Sequence, residues 1–178
     1  VVKDVAAADQ QPTAFPTNIP HPASASQNAQ FTPPRSSNLR LRKTFADLEK
    51  DQFAHESFDY IARFFEATLK ELEARNPGIQ GVFRPVDANR FTAAVYSQGA
   101  IVSECGIALS DGYGRGSITY SSQASHSGGF NEMLNVECDD QSMFFKSLMG
   151  MNSRGGEKLS QEGAAELLWS KLIERLQR

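Results

Sequence analysis

The sequence predicts an α+β fold, with a five- to six-stranded antiparallel meander bracketed by a long N-terminal helix and a C-terminal helix packed on one sheet face. Three observations carry this. Apolar residues recur with a period near 3.6 in residues 44–75 and again in 160–176. Between 82 and 148 the period falls to 2. The alternating runs are separated by short turn signals, so successive strands must be antiparallel neighbours.

The first helix opens at Thr44, which with Asp47 fits a capping box, and continues to Arg75. Ala54, Phe58, Ile61, Phe65, Leu69 and Leu72 form one apolar stripe, widened by Phe53, Tyr60 and Phe64. Asp59, Arg63, Glu66, Lys70 and Glu73 occupy the wet side, with Glu66 and Lys70 in i,i+4 register. Asn76-Pro77-Gly78 ends the helix, because proline forces its predecessor out of the helical region and glycine takes the turn. Such a helix is about 43 Å long at ~1.5 Å per residue, more than one small domain is expected to cover. Its extra aromatic stripe, Phe53, Tyr60 and Phe64, is therefore a candidate interface for a neighbouring domain or a second copy, unless the closing helix covers it through Trp169 and Leu172.

A weak leading strand spans Val82–Val86, broken by Pro85. Phe91, Ala93 and Val95 then alternate with Thr92, Ala94 and Tyr96 up to the hairpin turn Gln98-Gly99. Ile101, Ser103, Cys105, Ile107 and Leu109 alternate with Val102, Glu104, Gly106 and Ala108 in the next strand. Ser117–Ser122 gives another strand, and Leu134, Val136 and Cys138 lead through Asp139-Asp140 to Met143, Phe144 and Phe145. Ser160 caps the closing helix, whose apolar face is Ala165, Leu168, Trp169, Leu172, Ile173 and Leu176. Gly163 within it suggests a close approach by the sheet.

Composition divides the chain of 178 residues. Six of its eight prolines precede residue 35, in an Ala/Ser/Gln/Asn-rich stretch without period, so residues 1–43 read as a disordered linker and 44–178 as one α+β domain. The linker carries five basic and two acidic side chains, net +3, and the domain 13 basic and 19 acidic, net −6. An acidic domain argues against nucleic acid as a partner. The basic run from Arg35 to Lys43 reads as a solvated linker end. No apolar run has the ~20 residues needed to span a bilayer. The first residue is Val, which suggests an excerpt from a longer chain with a further domain N-terminal to it. Cys105 and Cys138 lie in separate strands and read as buried free thiols, which points to the cytoplasm.

A strict up-and-down meander sorts the loops by end. One end gathers Asp87, Asp111, Asp139 and Asp140 with Arg90 and Arg115. Clustered carboxylates could hold a hard cation, but aspartate is also common in turns because it bonds its own backbone, and no metal is assigned. Asp111-Gly112-Tyr113-Gly114-Arg115-Gly116 has the glycine amides and the arginine of a phosphate cradle, without the following helix that such loops normally enter. The other end holds His126 among Ser125, Ser127, Gly128 and Gly129, with Arg154 and Lys158. Candidate ligand-binding residues are thus Asp111, Arg115, His126 and Arg154, for a nucleotide or other small molecule. No catalytic residue and no cofactor is assigned. His55 reads as a partly buried helix residue and Cys105 as a hydrophobe.

The blocks Ala74-Arg75-Asn76-Pro77-Gly78, Phe91-Thr92-Ala93-Ala94-Val95-Tyr96, Phe130-Asn131-Glu132-Met133-Leu134 and Leu159-Ser160-Gln161-Glu162-Gly163-Ala164-Ala165-Glu166 together carry a resemblance over roughly residues 38–178. The chain resembles a C-terminal module of bacterial proteins whose N-terminal part is a TIR-like or other nucleotide-binding domain, proteins associated with antiphage defence. The shared blocks are structural, so no functional residue is carried over. The resemblance implies a non-catalytic binding, sensing or oligomerisation module that regulates an attached effector. A small hydrolase or transferase working from Asp111–Gly116 or His126, and a structural adaptor, stay open beside it.

Overall fold

The computed structural model describes Ser36 and residues 40–110, 116–124, 129–149 and 156–177. Among the described residues two helices flank the strands in chain order, as α1 (Asp47–Arg75), β1 (Ile79–Asp87), β2 (Arg90–Ser97), β3 (Ala100–Ser110), β4 (Ser117–Ser121), β5 (Glu132–Cys138), β6 (Met143–Ser147) and α2 (Gln161–Ile173). The sheet has six strands in the order β1-β2-β3-β4-β5-β6, every neighbour antiparallel, so the meander expected from the turn spacing is present. One compact unit spans Leu39–Arg178. No helix among the described residues is long and apolar enough to cross a membrane.

The start of α1 differs from the expected box at Thr44. Ala46 is the N-cap, and its N–H donates to the Glu49 carboxylate at 2.7 Å. Only this half of a capping box can form, since Ala46 has no hydroxyl. Lys43 N–H donates to the Asp140 carbonyl at 2.9 Å and Gln141 Nε2 to the Leu41 carbonyl at 3.1 Å, so residues 41–43 lie along the β5–β6 turn. At its other end, α1 stops at Asn76 and Gly78 turns the chain at φ 89°.

The length of α1 is absorbed by crossing the sheet. Six strands at ~4.8 Å spacing are only about 24 Å wide, whereas the helix is about 43 Å long. Early in the helix, Ala54 meets Gly116 and Phe53 stacks on Phe145 of β6, with ring centroids 5.2 Å apart. Late in the helix, Leu69 rests on Gly81 of β1. Hence α1 runs obliquely from the β6 side to the β1 side, burying Ala54, Phe58, Ile61, Phe65 and Leu69.

Helix α2 packs beside α1 on the same face. Trp169 meets Phe65 edge-on at 5.5 Å, and Ser103 Oγ of β3 donates to the Leu172 carbonyl at 2.6 Å. The core joins Phe58, Phe65, Phe91, Val95, Cys105, Ile107, Ile118, Tyr120, Leu134, Phe145, Leu168 and Leu172. Gly163 does not admit the sheet. A β-carbon there would meet only Leu159 and Ser160, at ordinary distances of 3.6 Å and beyond, and its N–H serves the cap at Ser160 Oγ.

Two strand expectations are corrected. The alternation expected along β3 breaks at Ile101, which is 54% exposed while Ser103 and Cys105 of the same parity are buried. The β2–β3 register runs Val95↔Ser103 and then Tyr96↔Ile101, so β3 carries an extra residue, Val102. This bulge reverses the alternation: Val102 packs on the core and Ile101 turns to water. Cys138 is also exposed, because the apolar stripe of β5 has ended two residues earlier at Val136.

Candidate functional site: a notch in the sheet

Strand lengths create an opening in the sheet. β3 has eleven residues and β4 only five. Their ladder covers Gly106–Ser110 against Ser117–Ser121, so among the described residues the first part of β3 has β2 on one side and no strand on the other. Into this notch open Ile101, Val102, Ser103, Glu104, Ser122, Gln123 and Arg175, around a cleft of about 330 Å³. Arg175 arrives from the turn that follows α2, which Ser103 ties to the sheet through Leu172. The Asn131 side chain accepts from Ser122 N–H at 2.6 Å and Ser121 Oγ from Gln123 N–H at 3.2 Å, which turns the chain away after β4.

Backbone direction at the notch follows from the ladder. Leu109 N–H donates to the Asn89 carbonyl at 2.8 Å, so odd-numbered positions of β3 face β2. The Ser110 and Ala108 carbonyls accept from Ser117 Oγ and Thr119 Oγ1, so even-numbered positions face β4. Glu104 shares that parity and lies before the bulge is reached from Leu109. Its N–H and C=O therefore point into the space where β4 is missing.

Elsewhere on the sheet, facing α2, lies Glu132, 1% exposed at the start of β5. Its carboxylate accepts from Ser147 Oγ at 2.9 Å, Met149 N–H at 3.0 Å and its neighbour Met133 N–H at 3.1 Å, while Lys171 Nζ of α2 stands 3.1 Å away. Burial pushes its pKa up. The Met149 amide, the Lys171 ammonium and the Ser147 hydroxyl outweigh that and hold it below the usual value. Glu132 thus ties α2, β6 and the chain leaving β6 to one point. The sequence signal for it was available: Glu132 stands two residues before Leu134, so alternation places it inward.

The candidate ligand residues Asp111, Arg115, His126 and Arg154 lie outside the described residues. At that first end of the sheet Asp87 and Asp139 work as turn residues. Asp87 accepts from Asn89 N–H, and Asp139 from Gln141 and Ser142 N–H and from Lys158 Nζ, which together hold the Asp139 carboxyl well below its usual range. No group of three or more metal-binding side chains occurs among the described residues. The candidate interface residues Phe53, Tyr60 and Phe64 are half-buried and pack against the core, Tyr60 stacking on Phe64 at 6.5 Å and Phe64 meeting Phe65 at 6.4 Å. Phe53 and Tyr60 also line a groove of about 370 Å³ with Met143 and Ser160. His55 is exposed rather than partly buried, being one position past the Ala54 stripe. Cys105 is wholly buried, and burial pushes its thiol up to about 12, far from a nucleophile's range.

Comparison with known proteins places these elements. The model of the Y4lF protein domain matches residues 80–174, from the first residues of β1 to the turn after α2. A protein of Sinorhizobium fredii (strain NBRC 101917 / NGR234), described as uncharacterized protein y4lF, is 55% identical over 162 residues, which is 86% of this chain and 48% of the relative. The chain therefore spans about half the length of that relative. No solved structure matches. With more than half of its residues, and every strand of the sheet, inside the matched region, the chain belongs to the Y4lF protein domain family.

Proposed function

We propose that this domain is a non-catalytic binding module that regulates an effector carried on the same polypeptide, and that the notch between β3 and β4 is its ligand site. The carrying observation is the notch itself: backbone groups of Glu104 and the polar side chains of Ser122, Gln123 and Arg175 converge on an open cleft of about 330 Å³. Such a volume falls at the lower end of the ~300–1,000 Å³ usual for small-ligand sites. The rhizobial relative has room for a second domain, since this chain accounts for 48% of it. The resemblance to C-terminal modules of antiphage proteins supports a sensing role, with the effector elsewhere in the chain.

A thermal-shift screen of small metabolites and nucleotides against the 178-residue chain tests this. A ligand should raise the melting temperature of the wild type and not of Arg175→Gln. Chemical conversion of that ligand, seen by mass spectrometry, would replace the reading with an enzymatic one.

A further inference from the structure

We propose that the notch takes a short zwitterionic peptide in extended form, its backbone paired with Glu104 and its charged ends received by Glu104 and Arg175. This rests on the notch being the module's binding site and adds the chemical class of the ligand.

The sheet protects its other edges. Gly78 C=O receives Gln98 N–H, so even positions of β1 face β2 and odd positions face outward. Of the outward positions, Ile79 N–H is bonded to Asn76, Gly81 N–H is met by the Glu73 carboxylate at 3.4 Å, and Pro85 has no N–H. Before the register shift at Pro85/Asp87, Phe83 alone of these positions is left to offer a donor, which suits an edge built to refuse another strand. At the far edge, Phe145 exchanges both backbone bonds with Leu159, at 2.8 and 2.9 Å. The stretch of β3 that β4 leaves uncovered has no such guard from a described strand. An unpaired strand edge beside a cleft is the setting in which an extended peptide adds by backbone bonds.

Length and charge narrow the ligand. With Val102 the extra residue of the bulge, Ile101 to Glu104 advance only as far as their partners Tyr96 to Ala94, about 7 Å at ~3.3 Å per residue, which matches a peptide of roughly two to three residues. Glu104 and Arg175 carry opposite charges on the wall of one cleft, and neither takes part in any of the ion pairs found among the described residues. A ligand with a free ammonium and a free carboxylate answers both. Ile101 and Val102 add apolar wall for a side chain.

Calorimetric titration of the 178-residue chain with trialanine, N-acetyl-trialanine and trialanine amide tests the assignment. Trialanine should bind, and each blocked form should bind about tenfold or more weakly. Arg175→Gln should abolish discrimination against the amide, and Glu104→Gln discrimination against the acetyl form, with circular dichroism unchanged in both. No binding of trialanine, or equal binding of all three peptides by the wild type, overturns the ligand class. If a non-peptide from the thermal-shift screen then binds in an Arg175-dependent way, the binding-site reading stands alone. If neither peptides nor that panel respond to Arg175→Gln, both readings fall.

Discussion

Leu69 and Gly81 touch so closely that a β-carbon on residue 81 would stand 2.9 Å from Leu69 Cβ and 3.0 Å from the Leu69 carbonyl oxygen. The contact sets how near the last turns of α1 come to β1. Because one of the blocking atoms is backbone, a methyl group cannot be accommodated by a side-chain rotation. Gly81→Ala should destabilise the domain by roughly 1–3 kcal/mol, the usual range for overpacking. Urea unfolding would show it, and a midpoint equal to wild type would mean that α1 lifts freely from the edge strand.

The Glu132–Lys171 pair gives stability a definite pH dependence. A carboxyl held below its ordinary pKa in the fold contributes stability that is fully present above the unfolded value and lost as pH falls through the folded one. Lys171→Met removes the ammonium from a carboxylate that is 1% exposed. The variant should be clearly less stable than wild type at about pH 7, with the gap narrowing at an acid pH that takes Glu132 down through its lowered folded pKa. Urea midpoints measured at both pH values check this. A gap independent of pH would show that Lys171 acts through packing alone.

The two thiols should separate cleanly. Cys105 is buried with its pKa pushed up to about 12, while Cys138 is exposed. At about pH 8 the Cys105 thiolate is a fraction on the order of one in ten thousand, and reagent must also reach it. Thiol titration of the folded chain should therefore count one reactive cysteine, rising to the full two in denaturant. Two fast-reacting thiols in the native protein would mean that β3 opens on the timescale of the assay.

Adjacent phenylalanines of α1 should differ in weight. Phe65 is wholly buried among Phe91 and Trp169, whereas Phe64 is half-buried and touches Tyr60 and the edge of Phe65. Phe65→Ala should cost about 3–5 kcal/mol, in the range for deleting a core aromatic. Phe64→Ala should cost distinctly less in the same unfolding measurement. Equal losses would place Phe64 in the core as fully as its neighbour.

Local periodicity was enough to read the order helix, meander, helix. Side chains at a period of 3.6 or 2 must all lie on one face whatever surrounds them, and Gln98-Gly99, with φ of 51° and 82°, turns a hairpin by its own backbone preference. The core residues Phe58, Phe65, Phe91, Ile107 and Trp169 were legible for the same reason. The bulge at Val102 was not. It arises in the register between two strands, and nothing in the run Ile101-Val102-Ser103 marks where the ladder slips.

The candidate site divides in the same way. Sequence by itself determined which residues could face inward, Glu132 included, since alternation from Leu134 is a local property. Only the tertiary structure decided that Lys171 of α2 stands 3.1 Å from Glu132, that Leu69 meets a glycine, and that β3 outruns β4 beside Arg175. Each of these joins segments many residues apart. Their juxtaposition depends on the oblique path of α1 and on unequal strand lengths, quantities fixed by packing the whole sheet against two helices and carried by no single stretch of the chain.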